Sequence, residues 1–234
     1  MNSDTVVDEM MPKMKGGNSK RGKMNTEEHI SLFSIPLTKI NIGRSFTKKE
    51  IGCFANIPMI YNKGRPSETY TQGIEQGSQS DCYDIFNNAK TSEGLKDIKT
   101  FCEIELKRYL EEIEGVDTNS VSLRITESWA NKIVPQGSHY VHYHKNSYLS
   151  GVFYISCLPN DSIQFTNRSR SWRVCLPKRI ETKYNTEEAW VNIKQGDFII
   201  FPSFLLHGVS VNTTKDKTRM SLSFDTWPTQ IPPL

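Results

Sequence analysis

From Val121 to the end, the chain is a series of short strand-length segments with no helical period, and this half constrains the fold most. The segments are Val121–Ala130, Ser138–His144, Ser150–Cys157, Ser162–Phe165, Trp190–Ile193, Asp197–Phe201, His207–Val211 and Met220–Trp227. Pro, Gly, Asn and Asp separate many of them, as expected of turns between strands. Many short strands after a helix imply a mainly β architecture with flanking helices (α+β): an antiparallel barrel or double-sheet roll with helices packed outside.

The first half predicts those helices. Leu95, Ile98, Cys102, Leu106, Tyr109 and Ile113 recur at spacings of three and four, giving one apolar stripe over Ser92 to about Glu114. Ser92 suits the N-cap and Gly115 the stop. Its Tyr and Cys read as core or rim residues rather than a site. Thr47 with Glu50 forms a capping box. A short helix through Ile51, Phe54 and Ala55 should follow and end before Pro58. Ile30 to Ile42 reads as one or two strands, and residues 60–90, rich in Gly, Ser, Asn and Gln, as loop. Residues 1–28 are polar and aperiodic and read as a flexible tail, which leaves 29–234 as one domain. Gly16 to Lys23 has phosphate-loop composition but the wrong spacing and no preceding strand.

Bulk properties exclude several classes. The 234 residues are 36% hydrophobic and 24% charged, an ordinary globular balance. The net charge of +3 calls for neither a nucleic-acid nor a membrane partner. No apolar run reaches membrane-spanning length, and the N-terminus lacks the apolar core of a secretory signal. Cys53, Cys82, Cys102, Cys157 and Cys175 contain no CxxC pair and read as reduced thiols of a cytoplasmic protein. In that setting the sequons at Asn160, Asn167 and Asn212 are chance matches.

The chemistry lies in three histidines and one arginine. His142 and His144 sit two apart in HYHKNSYLSGVFYI, so on a strand both imidazoles project from one face and Tyr143 from the other. His207, at the end of GDFIIFPSFLLH, is the best third ligand, since a barrel can bring it alongside. Imidazole suits Fe, Zn, Cu or Ni, so residue type leaves the metal open. His139 has the opposite strand parity and reads as a non-ligand. A structural histidine cluster is the competing reading. In RMSLSF, Arg219, Ser221 and Ser223 share one face of the last strand and Met220, Leu222 and Phe224 the other. A guanidinium beside hydroxyls can grip a carboxylate bidentately. Equally, a single arginine can cap a strand at the surface.

These motifs resemble those of Fe(II)- and 2-oxoglutarate-dependent oxygenases, which fold as a double-stranded β-helix (jelly roll). More narrowly, the chain resembles a bacterial and marine-phage group of such oxygenases. The matching segments are LFSIPLTKINI (32–42), SWAN (128–131), HYHKNSYLSGVFY (142–154), GDFIIFPSFLLH (196–207) and RMSLSF (219–224). The resemblance implies that His142, His144 and His207 ligate Fe(II). It further implies that Arg219, with Ser221, binds the distal carboxylate of 2-oxoglutarate, and that Tyr154 helps hold this co-substrate. Asn146, Trp129 and Asn131 would line the pocket, although Trp129 reads equally as a core aromatic. The implied reaction consumes dioxygen, releases succinate and CO2, and hydroxylates an unidentified organic substrate. One departure stands out: His144 occupies the position where the wider superfamily places a carboxylate. Three neutral imidazoles leave more positive charge on the metal, which should weaken Fe(II) retention.

The sequence names neither substrate nor oligomeric state. Residues 159–189 form a long, mostly irregular insert containing Arg168, Arg170, Trp172, Arg173, Lys178 and Arg179. A solvated charged loop is the plainer reading of it, a substrate-binding lid the other. Two further readings of the whole chain stay open: a three-histidine enzyme of cupin type that does not use 2-oxoglutarate, and a catalytically silent β-barrel binding module.

Overall fold

A computed structural model describes residues 34–61, 77–167, 177 and 179–229. Contacts divide the chain into Met1–Ser34 and Ile35–Leu234. Apart from Ser34, the first unit, and with it the predicted tail, lies outside the described residues. So do Arg168, Arg170, Trp172, Arg173 and Lys178 of the insert.

In chain order the elements are β1 (Thr38–Asn41), α1 (Lys48–Asn56), β2 (Met59–Tyr61), β3 (Gly77–Ser80), α2 (Ser92–Glu112), β4 (Leu123–Ile133), β5 (His139–His142), β6 (Leu149–Ser156), β7 (Ser162–Thr166), β8 (Glu188–Asn192), β9 (Asp197–Pro202), β10 (Leu206–Val209) and β11 (Arg219–Pro228). They form a seven-stranded sheet of order β1-β9-β6-β11-β4-β3-β2 and a four-stranded sheet of order β5-β10-β7-β8. Every pairing between named strands is antiparallel. After β4 the chain passes back and forth between the sheets, so that they close on one another as the predicted roll.

Period-two alternation gives the large sheet two different faces. Phe153, Ile155, Phe198, Ile200, Leu222 and Phe224 turn outward and meet Leu95, Ile98, Cys102, Leu106 and Tyr109 of α2. Each fully buried side chain of this kind stabilises by roughly 1.5–3 kcal/mol. Their sequence neighbours Val152, Tyr154, Ile199 and Phe201 turn inward and join Ile163 and Phe165 of the small sheet in a second core.

Local signals fix most boundaries. At α1 the Glu50 amide donates to Thr47 Oγ1 (3.2 Å) and the Thr47 amide to Glu50 Oε2 (2.7 Å), the predicted capping box. Of the three apolar positions expected to line α1, only Phe54 is buried; Ile51 and Ala55 are exposed. The N-cap of α2 is Thr91, one residue before the predicted Ser92, and its hydroxyl donates to the Ile85 carbonyl instead of capping the helix. Gly115, at φ 65°, turns the chain after α2, and the Val116 amide donates back to the Leu110 carbonyl at 2.9 Å. Ile113 lies past the end of the buried stripe and is exposed, while Leu110 is buried.

The predicted loop over 60–90 instead contains β3 and the end of β2. Gly-Ser-Gln-Ser carries no alternation of its own. It is held as a strand by pairing with β4, with Gln79 opposite Asn131. Tertiary pairing here overrides weak local preference. Asn212, one of the three sequon asparagines, is fully buried, with Nδ2 donating to the Lys217 carbonyl at 2.8 Å. No helix among the described residues is long and apolar enough to cross a membrane.

Gly151 on β6 lies beneath the Phe224 and Phe198 rings. A Cβ there would come within 2.2 Å of the Phe224 ring and 2.8 Å of the Phe198 ring. Gly151→Ala should therefore overpack the helix-side core and destabilise the protein by about 1–3 kcal/mol. Urea unfolding checks this, and an unchanged midpoint would contradict it.

Candidate metal centre and co-substrate pocket

The histidines converge through strand register. His207 on β10 is the direct cross-strand partner of His142 on β5. His144 lies just beyond the end of β5, where its amide donates to the Ser203 carbonyl at 2.9 Å. Ring centroids are 4.4 Å apart for His142–His207, 5.0 Å for His144–His207 and 5.1 Å for His142–His144. One nitrogen from each ring lies within 4.8 Å of the other two. Tyr143 is exposed, as alternation predicts.

Each ring is held by its other nitrogen. His142 Nδ1 lies 2.9 Å from the Tyr140 carbonyl, and His207 Nδ1 lies 2.9 Å from the Leu205 carbonyl. His144 Nδ1 lies 2.6 Å from Asp225 Oδ1. Carbonyl and carboxylate oxygens only accept, so each Nδ1 must carry the proton, and a neutral imidazole has just one. Each Nε2 then presents a lone pair. His142 Nε2 and His144 Nε2 are 3.1 Å apart. Two lone pairs at that distance repel unless a cation lies between them. Anchoring the distal N–H of a ligating histidine is also how metal sites fix tautomer and ring orientation. The donor set therefore fits a divalent metal bound by imidazoles.

His207 is the most buried of the three, with the Phe201 ring centroid 4.6 Å from its own. Burial, reinforced by His142 and His144, lowers its pKa to about 3 and keeps it in the neutral, ligating form.

The strand parity assigned to His139 needs correction, but not its reading as a non-ligand. On β10 two steps separate His207 from Val209, while on β5 three separate their partners His142 and His139. The extra residue is a β-bulge, which reverses parity. His139 therefore packs its ring 4.5 Å from that of His142 and lines the same cavity. Its nitrogens are not among the three that converge.

The cavity beyond the histidines is lined by Tyr154, Arg219, Ser221, Ser223, Asn131 and Trp129, and also by Gln79 of β3. Trp129 serves both expected purposes, since it is buried and its ring centroid lies 5.5 Å from that of His144. Asn146 is not brought to the cavity. It is exposed in the turn after His144 at φ 56°, a left-handed conformation that asparagine tolerates.

Arg219 is 2% exposed and already engaged. Nη1 donates to Asp161 Oδ1 and to the Ser162 carbonyl, both at 3.0 Å, and Nη2 donates to Tyr154 Oη at 3.3 Å. The second N–H of Nη2 is not used by these bonds. Burial raises the Tyr154 pKa, so its hydroxyl stays protonated and can donate. Sequence reasoning missed Asp161, which reaches Arg219 across 58 positions from a turn residue without a periodic signal. It also missed Asp225, although Asp225 continues the odd-numbered polar row Arg219, Ser221, Ser223 and was legible there.

In metal-free protein, His207 should make stability fall with acidification. Above pH about 6.5 both folded and unfolded chains hold it neutral. Between there and about pH 3 only the unfolded chain takes up the proton, so unfolding is favoured as pH drops. Denaturant melts in EDTA at pH 7.5 and 5 should show a smaller loss for His207→Gln than for the unaltered chain. Identical losses would contradict the burial argument.

Residues 127–225 match the family described as "Putative 2OG-Fe(II) oxygenase". Among curated proteins no relative matches. Solved structures share the fold at low identity. A prolyl hydroxylase from Trichoplax adhaerens, in complex with a hypoxia inducible factor peptide fragment, superposes with TM-score 0.54 at 9% identity, covering 82% of this chain and 83% of that one. An oxidoreductase of the 2OG-Fe(II) oxygenase family from Burkholderia pseudomallei gives 0.52 at 9% identity, covering 75% and 76%. HygX from Streptomyces hygroscopicus, with nickel, 2-oxoglutarate and hygromycin B bound, gives 0.51 at 13% identity, covering 83% and 84%. The matched segment spans the first two histidines, the third, the arginine and Asp225, and these solved structures share the rolled double sheet.

Proposed function

We propose that the domain spanning residues 29–234 is an Fe(II)- and 2-oxoglutarate-dependent dioxygenase that hydroxylates an organic substrate, with His142, His144 and His207 as the iron ligands. The observation that carries this reading is the convergence of three Nε2 lone pairs whose Nδ1 protons are all committed elsewhere. When bound, iron and 2-oxoglutarate supply the oxidising equivalent, and the co-substrate leaves as succinate and CO2. The protein's own part is to bind, orient and exclude water. Arg219 offers the remaining N–H of Nη2 to the distal carboxylate, with the Ser221 and Tyr154 hydroxyls beside it. Trp129, Asn131 and Gln79 line the rest of the cavity and would face substrate. We also place the protein inside the cell, where the unpaired thiols of Cys53, Cys82, Cys102 and Cys157 would stay reduced.

One observation favours the alternative of a three-histidine metalloenzyme without 2-oxoglutarate. Asp161 already neutralises Arg219, which reduces the pull on an incoming carboxylate.

Succinate formation on adding Fe(II), 2-oxoglutarate and ascorbate separates the two. Loss of a charge-assisted hydrogen bond costs about 1.5–3 kcal/mol. Arg219→Ala should thus raise the 2-oxoglutarate concentration for half-maximal turnover about tenfold or more, with metal content little changed. Because that change strips Asp161 of its counter-ion, Arg219→Lys is the companion variant; it keeps the charge but loses the forked geometry. His207→Ala should abolish metal loading. Equal loss of metal and 2-oxoglutarate binding in the Arg219 variants would contradict the assigned role.

A further inference from the structure

Asp225 is a buried carboxylate at the back of the metal site. Its Oδ1 accepts from His144 Nδ1 at 2.6 Å and from Ser150 Oγ at 2.8 Å. Ser150 Oγ lies in turn 2.8 Å from Ser203 Oγ, which fixes its position. Asp225 is 9% exposed, and among the described residues no lysine or arginine lies within ion-pair distance of it. A buried carboxylate without a cationic partner is costly. The positive charge its position calls for is one bound at Nε2 on the opposite side of the His144 ring.

We propose that Asp225 is the charge-compensating positioning residue of this metal site, acting through His144. Three imidazoles bring no negative charge to a divalent ion. Asp225 supplies one across a single ring, makes His144 a stronger donor, and holds Nε2 toward His142 and His207. Ser150 donates to the same Oδ1 and so restrains the orientation of the carboxylate. The inference rests on His144 being a metal ligand, as proposed above.

Asp225→Asn is the informative change. It retains Oδ1 as acceptor for both hydrogen bonds and removes only the charge. Stripped protein is titrated anaerobically with Fe(II) against a chromophoric chelator, and the midpoint potential of the bound iron is measured. Asp225→Asn should weaken Fe(II) binding about 10–100-fold and raise the potential, because a lost negative charge disfavours the ferric state. Unchanged affinity and potential would overturn the proposal. Should the variant not fold, the unaltered protein decides. Histidine 15N shifts of the Zn(II)-loaded chain should show His144 protonated at Nδ1 and coordinated through Nε2; coordination through Nδ1 would overturn it. His144→Gln separates this inference from the reading beneath it. Full metal affinity in that variant removes the three-histidine site altogether. Lost affinity in His144→Gln together with wild-type behaviour in Asp225→Asn removes only the role of Asp225.

Discussion

The alternation of β11 between two sheet faces supports both the fold and the site. The strand lies between β4 and β6 in the middle of the large sheet. Leu222 and Phe224 lock the sheet to α2, while Arg219, Ser221, Ser223 and Asp225 point into the roll. A register slip of one residue would exchange the two sets and bury a guanidinium and a carboxylate among phenylalanines. The hydrophobic face thus specifies register for the polar one.

The polar row meets the histidines from the opposite sheet. His142 and His207 are fixed by strand pairing, and His144 by a backbone hydrogen bond to Ser203 together with the Asp225 carboxylate. Each ring is therefore held by protein groups on the side away from the point where the three converge. At the other end of the cavity, Asp161 and Tyr154 hold Arg219 in the same way. Both ends combine a functional group with a buried acid, and sequence spacing does not reveal that pairing.

The legible parts of the molecule were those governed by local period. The later strands, the α2 stripe and the α1 capping box follow from spacing and cap chemistry. The pair His142 and His144 was legible because both face the same way, and Arg219 because its strand alternates cleanly. What escaped depended on distant partners. β3 is a strand because β4 and β2 pair with it on either side. His139 joins the cavity because a bulge cancels the parity that would have turned it away. Asp161 meets its arginine 58 positions away in the chain, a contact made by the fold and not by local spacing. Asn146, which the family resemblance implied at the pocket, is carried outward by the turn after His144.

The tight seat of Phe224 over Gly151 has a bearing on how such a protein can diversify. On β6 and β11, the side facing the helices is tightly packed, while on β11 Ser221 and Ser223 border the cavity. Adaptation to a new chemical target can then proceed at cavity-wall positions outside the metal and carboxylate sites, leaving the interlocked side untouched. Gln79 and Asn131, joined by a 2.9 Å hydrogen bond at the cavity wall, lie on the permissive side of that divide.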